Sequence, residues 1–506
     1  MTDYLKKGLL GIILVFSATT LANFTGYLTR VVLARNISPE EVGLFYSSHT
    51  LVTLFLLIST LGLHSSIIKY IAEFNSQKKL SQLRFAFKYV RNYRLALGIA
   101  GAIIFFISSP FLAEKFFKSA IAEPVLKILS VSIVFVVISA IISSLFQGFQ
   151  DMKNLALITF SEKFMFFLFT VAFIYFNFQI GALIPAYAFL SGIVLTTVLF
   201  LPLSLSYRKF WSKEQKEHID NKKEIIKKIT GFGFAAFMIS LGNMIIGYID
   251  TIILTYFRPL DEVGIYNIVL PTVIIIGFMS RSISQVFFPM VSELWTKNLK
   301  QKLNEGIHLL HNYSLIIVIP MAMTMFVFPK IVLTILFGAK YAIGSTVMQI
   351  LSIGVIFFTI ATIDQSILSG IGKPREVTII LLIAAIFNLI ANIVLIPKWG
   401  MEAAAVTTTL SYILIAWLTL RSLSKFVEFK EKFIRWFQSL AAGLVFVLVV
   451  YIMKNLLTGN QYIITILSIF TASLAYLGAC WFTGLLNVAE VKKLISAVFN
   501  KKISEL

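Results

Sequence analysis

Gly26-Tyr27-Leu28-Thr29-Arg30-Val31-Val32-Leu33, followed after a short turn by Glu41-Val42-Gly43-Leu44-Phe45, decides the fold because it occurs twice. Displaced by 221 positions, Gly247-Tyr248-Ile249-Asp250-Thr251-Ile252-Ile253-Leu254 leads into Glu262-Val263-Gly264-Ile265-Tyr266. The Gly-Tyr and the Glu-Val-Gly fall in register, with apolar residues at matching places between them. The pattern reads as helix, tight turn, helix, made twice. Leu145-Phe146-Gln147-Gly148-Phe149-Gln150-Asp151 pairs with Ile367-Leu368-Ser369-Gly370-Ile371-Gly372-Lys373, and Gly181-Ala182 with Gly400-Met401, at nearly the same offset. Two homologous halves follow, an organisation found in membrane transporters.

Composition sets the medium. With 58% hydrophobic and 13% charged residues, the 506-residue chain has too little polar surface to clothe a soluble globule. Lys6 and Lys7 precede an apolar run from Leu9 to Leu33, too long for a signal-peptide core and without a small-x-small cleavage site, so it is expected to stay as the first membrane helix. The single cysteine, Cys480, lies in an apolar run and is assigned to packing, which excludes an internal disulfide and a thiolate metal site. The net charge of +20 is distributed as membrane topology requires and is not read as a nucleic-acid signal.

At about 20 apolar residues per crossing, fourteen helices are expected, among them Gly8–Leu33, Gly43–Tyr70, Leu95–Ala113, Gly231–Phe257 and Val263–Met290. With a cytoplasmic amino terminus, the outer loops hold only Arg35, Lys115, Lys118, Arg258, Lys340 and Lys398 of the 44 Lys and Arg. An even count with both termini cytoplasmic satisfies that asymmetry. Each half has six helices, so the copies share one orientation and are expected to be related by an axis along the membrane normal, with a central cavity between them. The reading is an all-α integral membrane protein: residues 1–206 as an N-terminal six-helix lobe, 207–230 as a basic cytoplasmic linker, 231–423 as a C-terminal six-helix lobe, and 424–506 as two further transmembrane helices with a cytoplasmic tail. No segment outside the bilayer is long enough for a catalytic domain.

The motifs carry a family resemblance. Ala34-Arg35, Pro39-Glu40-Glu41-Val42-Gly43-Leu44 and Leu61-Gly62-Leu63 look like the first hairpin of the polysaccharide-transporter branch of the multidrug/oligosaccharidyl-lipid/polysaccharide (MOP) exporter superfamily, the Wzx-like flippases. Asp250-Thr251-Ile252-Ile253-Leu254 and Val263-Gly264-Ile265-Tyr266 look like the matching hairpin of the second half. Phe337-Gly338-Ala339-Lys340-Tyr341, Gly370-Ile371-Gly372-Lys373-Pro374 and the run Asn392–Ala405 follow in order. The resemblance covers about Lys7 to Leu420. It implies a flippase, not an enzyme, that moves a polyprenyl-pyrophosphate-linked oligosaccharide from the cytoplasmic to the outer leaflet of the plasma membrane by alternating access, for surface polysaccharide or glycan biosynthesis. Its partners would be the lipid-linked oligosaccharide, membrane lipids and glycan polymerases or transferases. No cofactor and no nucleic acid are implied, and one chain supplies both lobes, so a monomer is the default. A cation-coupled multidrug exporter of the same superfamily is the alternative. A membrane glycosyltransferase or polymerase is a third reading, against which the short outer loops without clustered carboxylates speak.

Charges within helices mark candidate sites, because each costs roughly 2.5–3.5 kcal/mol at the bilayer centre on insertion scales. Arg30 and Asp250 fall one position apart in the repeat and are expected at similar depth, lining the outer part of the cavity; a permanent ion pair or a snorkelling arginine is the rival. Given the pyrophosphate that the resemblance implies, Arg281 is the expected phosphate or acidic-sugar contact, with a structural pair to Glu162 or Asp364 as the rival, and Lys69 is a weaker phosphate candidate. Glu162 and Asp364 are candidate proton or cation carriers. Pro271, Pro289 and Pro320 are candidate hinges. Glu305, His308 and His311 share a helix face on a cytoplasmic loop and are read as a solvated surface, so no metal site is assigned. Gly370-Ile371-Gly372-Lys373-Pro374 lacks phosphate-loop spacing and is read as a turn. With no nucleotide motif, the driving force must be an ion gradient, the membrane potential or the substrate gradient.

This topology predicts that, in a Cys480→Ser background, a cysteine at Lys213 reacts with an impermeant maleimide only in opened cells and one at Lys398 in intact cells. Labelling of both from the same side would refute the odd number of crossings expected between them.

Overall fold

The computed structural model describes residues 2–178, 181–207, 222–427 and 432–486, and within them leaves out the side chains of residues 2–10, 12, 13, 278–283, 285, 286, 289, 432 and 433. The described chain is helical throughout. In order, α1 is Thr2–Asn36, α2 Pro39–Thr60, α3 Leu63–Ser76, α4 Leu80–Phe111, α5 Ala122–Gly148, α6 Met152–Tyr175, α7 Leu183–Leu205 and α8 Lys222–Phe257. Then come α9 Leu260–Thr296, α10 Lys300–Val327, α11 Pro329–Phe337, α12 Ser345–Gly370, α13 Pro374–Leu423, α14 Lys432–Leu456 and α15 Gln461–Phe482. Twelve described helices are long and apolar enough to cross a membrane. Within α13, Gly400 leaves helical geometry (φ 59, ψ −135) and divides 50 residues into two spans. Together with the apolar run of α1, this meets the expected fourteen.

Several boundaries differ from the sequence reading. The second helix stops at Thr60, because Leu61 and Gly62 both turn left-handed (φ 42 and 70), and α3 restarts beyond them as a separate amphipathic helix. The third helix begins at Leu80 rather than Leu95. The seventh begins at Lys222 and absorbs the end of the expected linker; the rest of that linker, 208–221, lies outside the described residues.

The chain divides into two compact units, one of Asp3–Ile268 with Asn392–Met401 and the other of Val269–Ala391 with the chain from Glu402 onward. In the first, the duplicated turn explains itself. Ser38 caps α2: its hydroxyl accepts the Glu41 N–H at 3.2 Å, while the Ser38 N–H donates to Glu41 Oε2 at 2.7 Å. Pro39 at the first helical position is preset for that geometry. Gly43 lies against the Leu260 carbonyl, and Gly264 against the Pro39 carbonyl, so closely that a Cβ on either would fall on the oxygen. The two copies of Glu-Val-Gly thus pack on one another reciprocally, each glycine against the first turn of the other copy, as a pseudo-twofold requires.

The glutamates also have matching roles. The Glu41 carboxylate fills the space a side chain on Gly181 (φ 61) would take, and the Glu262 carboxylate does the same at Gly400 (φ 59). Glu262 further accepts the Met401 N–H at 3.1 Å and is held by Arg258 Nη2 at 2.7 Å. Each acid therefore sits at the entry to the last helix of its own half. At the other end, Tyr207 donates to Asp151 Oδ2 at 2.7 Å, and Asp151 also caps α6 through the Asn154 N–H. Burial and that hydrogen bond raise the phenol pKa, keeping it a donor. In the second unit Ser422 Oγ donates to Glu376 at 2.7 Å, a comparable tie between the end of α13 and its start.

Gly43→Ala is expected to lower stability by about 1–3 kcal/mol, the range for overpacking a close interface, because the group it meets is backbone. Thermal unfolding of the purified protein checks this; a melting temperature unchanged from the wild type would show that the seam is looser than described.

Candidate functional site

Among the buried residues of α4, Leu83, Phe87, Val90, Arg94, Gly98 and Gly101 form a stripe at helical spacing. Five of the six are apolar or small. The sixth is an arginine, and it is only 4% exposed. Its Nη1 lies 3.5 Å from the Ala140 carbonyl and 3.4 Å from Ser144 Oγ, both long contacts, and its Nε has no hydrogen-bond partner among the described residues. No carboxylate faces it in the described contacts. Ser144 Oγ also lies 2.8 Å from His64 Nδ1 and 2.6 Å from the Ala140 carbonyl. The hydroxyl has one hydrogen, and the carbonyl can only accept, so that hydrogen goes to Ala140. His64 Nδ1 then carries the proton that donates to Ser144, and Nε2 is left to face elsewhere.

Arg94 and His64 border a cavity of about 530 Å³ lined also by Thr53, Thr60, Ser240, Asn243 and Tyr248, with an apolar wall that includes Leu56, Val137 and Met244. The size lies in the range of small-ligand sites. An arginine fork with open donors in such a place binds an oxyanion through parallel hydrogen bonds. Sequence reading missed Arg94 because the helix was started one residue after it. The signal was present: carried back to Leu80, the apolar stripe passes through position 94.

Arg30 and Asp250 come together in one network. Arg30 Nη1 donates to the Asn267 carbonyl at 2.7 Å, and its guanidinium covers the Tyr46 ring at 4.0 Å. Asp250 is 1% exposed and accepts from Tyr266 Oη at 2.5 Å and from Asn392 Nδ2 at 2.6 Å. Tyr266 and Asn267 are neighbours, so a single turn of α9 holds both charges, each through its own partners. Asn392 belongs to α13 and was not anticipated as part of the group.

The other candidates scatter. Lys69 is exposed on α3, with its ammonium 4.4 Å from the Phe232 ring. Glu162 is half-buried and accepts from Ser139 Oγ at 2.5 Å. Arg281 lies on α9, and its side chain is outside the described residues. His49 packs against Phe189, ring centroids 5.0 Å apart. In the second unit, His311 is not on a solvated face: α10 starts at Lys300 and buries it to 1%, with Nε2 2.8 Å from Oδ1 of Asp364, itself fully buried on α12. Glu305 remains exposed and His308 half-exposed. Among the described residues no three His, Cys, Asp or Glu side chains cluster as metal ligands.

A family model described as polysaccharide biosynthesis protein matches residues 9–295, and a second, MatE, matches residues 235–394. The chain is 31% identical over 514 residues to the uncharacterized membrane protein MJ1068 of Methanocaldococcus jannaschii, covering 99% of this chain and 100% of that one. It is 26% identical over 292 residues to a probable low-salt glycan biosynthesis flippase, Agl15, of Haloferax volcanii, covering 57% of this chain and 59% of the relative. Among solved structures, the lipid II flippase MurJ in an inward closed conformation has the same fold, with a TM-score of 0.74 at 17% identity over 94% of this chain and 100% of that one.

Asn392→Leu would remove the amide donor from Asp250 and leave a buried carboxylate oxygen without it. A stability loss of about 1–3 kcal/mol is expected, read by thermal unfolding, and Asp250→Leu in the same background should recover part of it.

Proposed function

The chain belongs to the polysaccharide biosynthesis protein family, within the MOP exporter superfamily, and we propose that this multi-pass membrane transporter translocates a polyprenyl-pyrophosphate-linked oligosaccharide from the cytoplasmic to the outer leaflet of the plasma membrane. The observation that carries the reading is Arg94: a guanidinium buried in a membrane-spanning helix, bordering a cavity, with open donors and no acid among its described contacts. A buried cation without a counter-charge is costly. An anionic group of the cargo supplies that charge when it enters, so burial of the arginine favours binding rather than only taxing the fold. Ser240, Asn243, Tyr248 and the threonines of α2 offer hydroxyl and amide partners for sugar, and the apolar wall suits a lipid-borne cargo.

In this reading Arg94 receives the phosphate side of the head group, and His64 holds Ser144 beside it. Arg30 and Asp250, with Tyr266 and Asn392, line the outer part of the path, and Arg281 and Lys69 are further phosphate contacts. The two repeated halves rock to give alternating access, with both termini cytoplasmic. Cation-coupled export of a small molecule is the second reading, and Asp250, a buried carboxylate that accepts from Tyr266 and Asn392, favours it.

In proteoliposomes, a fluorescent short-chain polyprenyl-diphosphate sugar is expected to cross in the presence of the wild type and to become quenchable from the opposite side. Arg94→Ala should slow crossing about tenfold or more at limiting probe, the loss of a charge-assisted hydrogen bond of ~1.5–3 kcal/mol, and Arg94→Lys should restore part of it. Equal rates for wild type and Arg94→Ala would remove the cavity from the path. No crossing by the wild type, with uptake of small cations instead, would favour the second reading.

A further inference from the structure

We infer that His311 and Asp364 form a proton-binding site in the second unit, which gives up and regains one proton in each transport cycle. The cycle part rests on the transport reading above; the proton site does not. The two groups are buried, as are Ile307 and Leu310 beside His311 on α10 and Ile360, Ile363 and Ile367 near Asp364 on α12. Their facing atoms are 2.8 Å apart. None of the four side-chain heteroatoms, Nδ1 and Nε2 of His311 and both oxygens of Asp364, has an aligned hydrogen bond among the described residues.

That combination fixes the proton inventory. A bare imidazole lone pair and a carboxylate lone pair repel at this distance, so a proton lies between Nε2 and Oδ1. A neutral imidazole needs one ring proton. If the shared proton were the only one, the pair would be a neutral histidine beside a carboxylate, with a net charge of −1. A lone buried charge in a membrane interior is expensive. A second proton, on Nδ1, makes the pair neutral overall, as imidazolium and carboxylate or as imidazole and carboxylic acid. The two forms differ only in where the shared proton sits.

Among the described residues no further charged group contacts the pair. From α14 the Trp436 ring meets the imidazole, centroids 5.5 Å apart. α9 reaches α12 through the Ser284 carbonyl, which accepts from Ser366 Oγ at 3.2 Å, and α13 reaches it through Thr409 Oγ1 on the Ile350 carbonyl. The chain after α15 places the Leu485 carbonyl on Asn312 Nδ2 at 2.8 Å. The ionisable residues nearest in sequence on these elements are Tyr313, His308 and Glu305 on α10, Glu402 on α13, Arg435, exposed on α14, and Arg281 on α9, whose side chain is outside the described residues.

Loss of one proton, written as the neutral pair going to neutral imidazole plus carboxylate plus a proton to water, leaves the negative charge behind. It becomes favourable only when water reaches the pair, so release is tied to a conformation in which α10 and α12 part. The misaligned geometry suits such a site, since a fully satisfied pair would resist the exchange.

The test uses the full chain in lipid nanodiscs. Nitrogen-15 spectra of labelled histidine, assigned by His311→Gln, and infrared spectra of the carboxyl region are compared for wild type and Asp364→Asn near neutral pH. The expected result is either an imidazolium His311 that Asp364→Asn converts to neutral imidazole, or a protonated carboxyl band that the same variant removes. A neutral His311 with no such band overturns the site. In proteoliposomes with the fluorescent diphosphate sugar, one pH unit across the membrane should shift the final distribution about tenfold for one coupled proton. Asp364→Asn and His311→Gln should abolish that shift, and Asp364→Glu should keep it. A wild-type distribution indifferent to the gradient overturns the cycle. Absence of any crossing, with the two-proton pair present in the spectra, counts against the transport reading and leaves the proton site standing.

Discussion

The close approach of Gly43 and Gly264 is the contact on which the duplicated architecture depends. Each lies against a main-chain carbonyl of the other copy's turn, and the glycines leave no room for even a methyl group. Dispersion between backbones at such range is strong because there is no gap to forfeit it, and small residues are what allow membrane helices to approach so closely. The rest of the local design follows from that approach. With the two turns fixed, Glu41 and Glu262 are each delivered to a left-handed glycine at the start of a later helix, and Arg258 and the Met401 N–H are drawn to the second. Tyr266, two residues beyond Gly264, is then placed to donate to Asp250.

Polar groups in the membrane interior are treated in two ways. Asp250 is surrounded by committed donors, which is how a buried carboxylate is held still. Arg94 and the His311–Asp364 pair are left short of partners. In a membrane, where water cannot make up the difference, such a shortage persists only where something else fills it. The two shortages call for different things: an arginine fork with open donors wants an oxyanion, and a histidine against a carboxylate wants protons.

Much of the fold could be read from the chain because it was written twice. The register of Glu-Val-Gly, the even number of crossings and the kink at Gly400 beside Met401 all come from period and charge asymmetry, which are local properties. The break at Leu61–Gly62 was not readable that way. Apolar residues continue across it, and the reason for it is a contact with Gly233 far along the chain. The site was harder still. Arg30 and Asp250 could be placed together from the repeat, but Asn392, which holds Asp250, is 142 positions away. His311 looked solvated because Glu305 and His308 precede it, and one further turn carries α10 into the interior. Arg94 was hidden because the helix was started at Leu95 and not at Leu80, and helix starts are where hydropathy is least decisive.

The paired glutamate and glycine at the entry of each last helix bear on how the gene could change after it doubled. In either copy, the acid and the left-handed glycine it fills are separated by about 140 residues yet must be altered together, since a side chain on the glycine would occupy the carboxylate's place. Such a pair resists drift in both copies. Thr29 and Asp250, at corresponding positions, are under no such mutual lock. One copy could acquire an acid there while the other kept a hydroxyl, so divergence of role between the halves had somewhere to begin without loss of the frame.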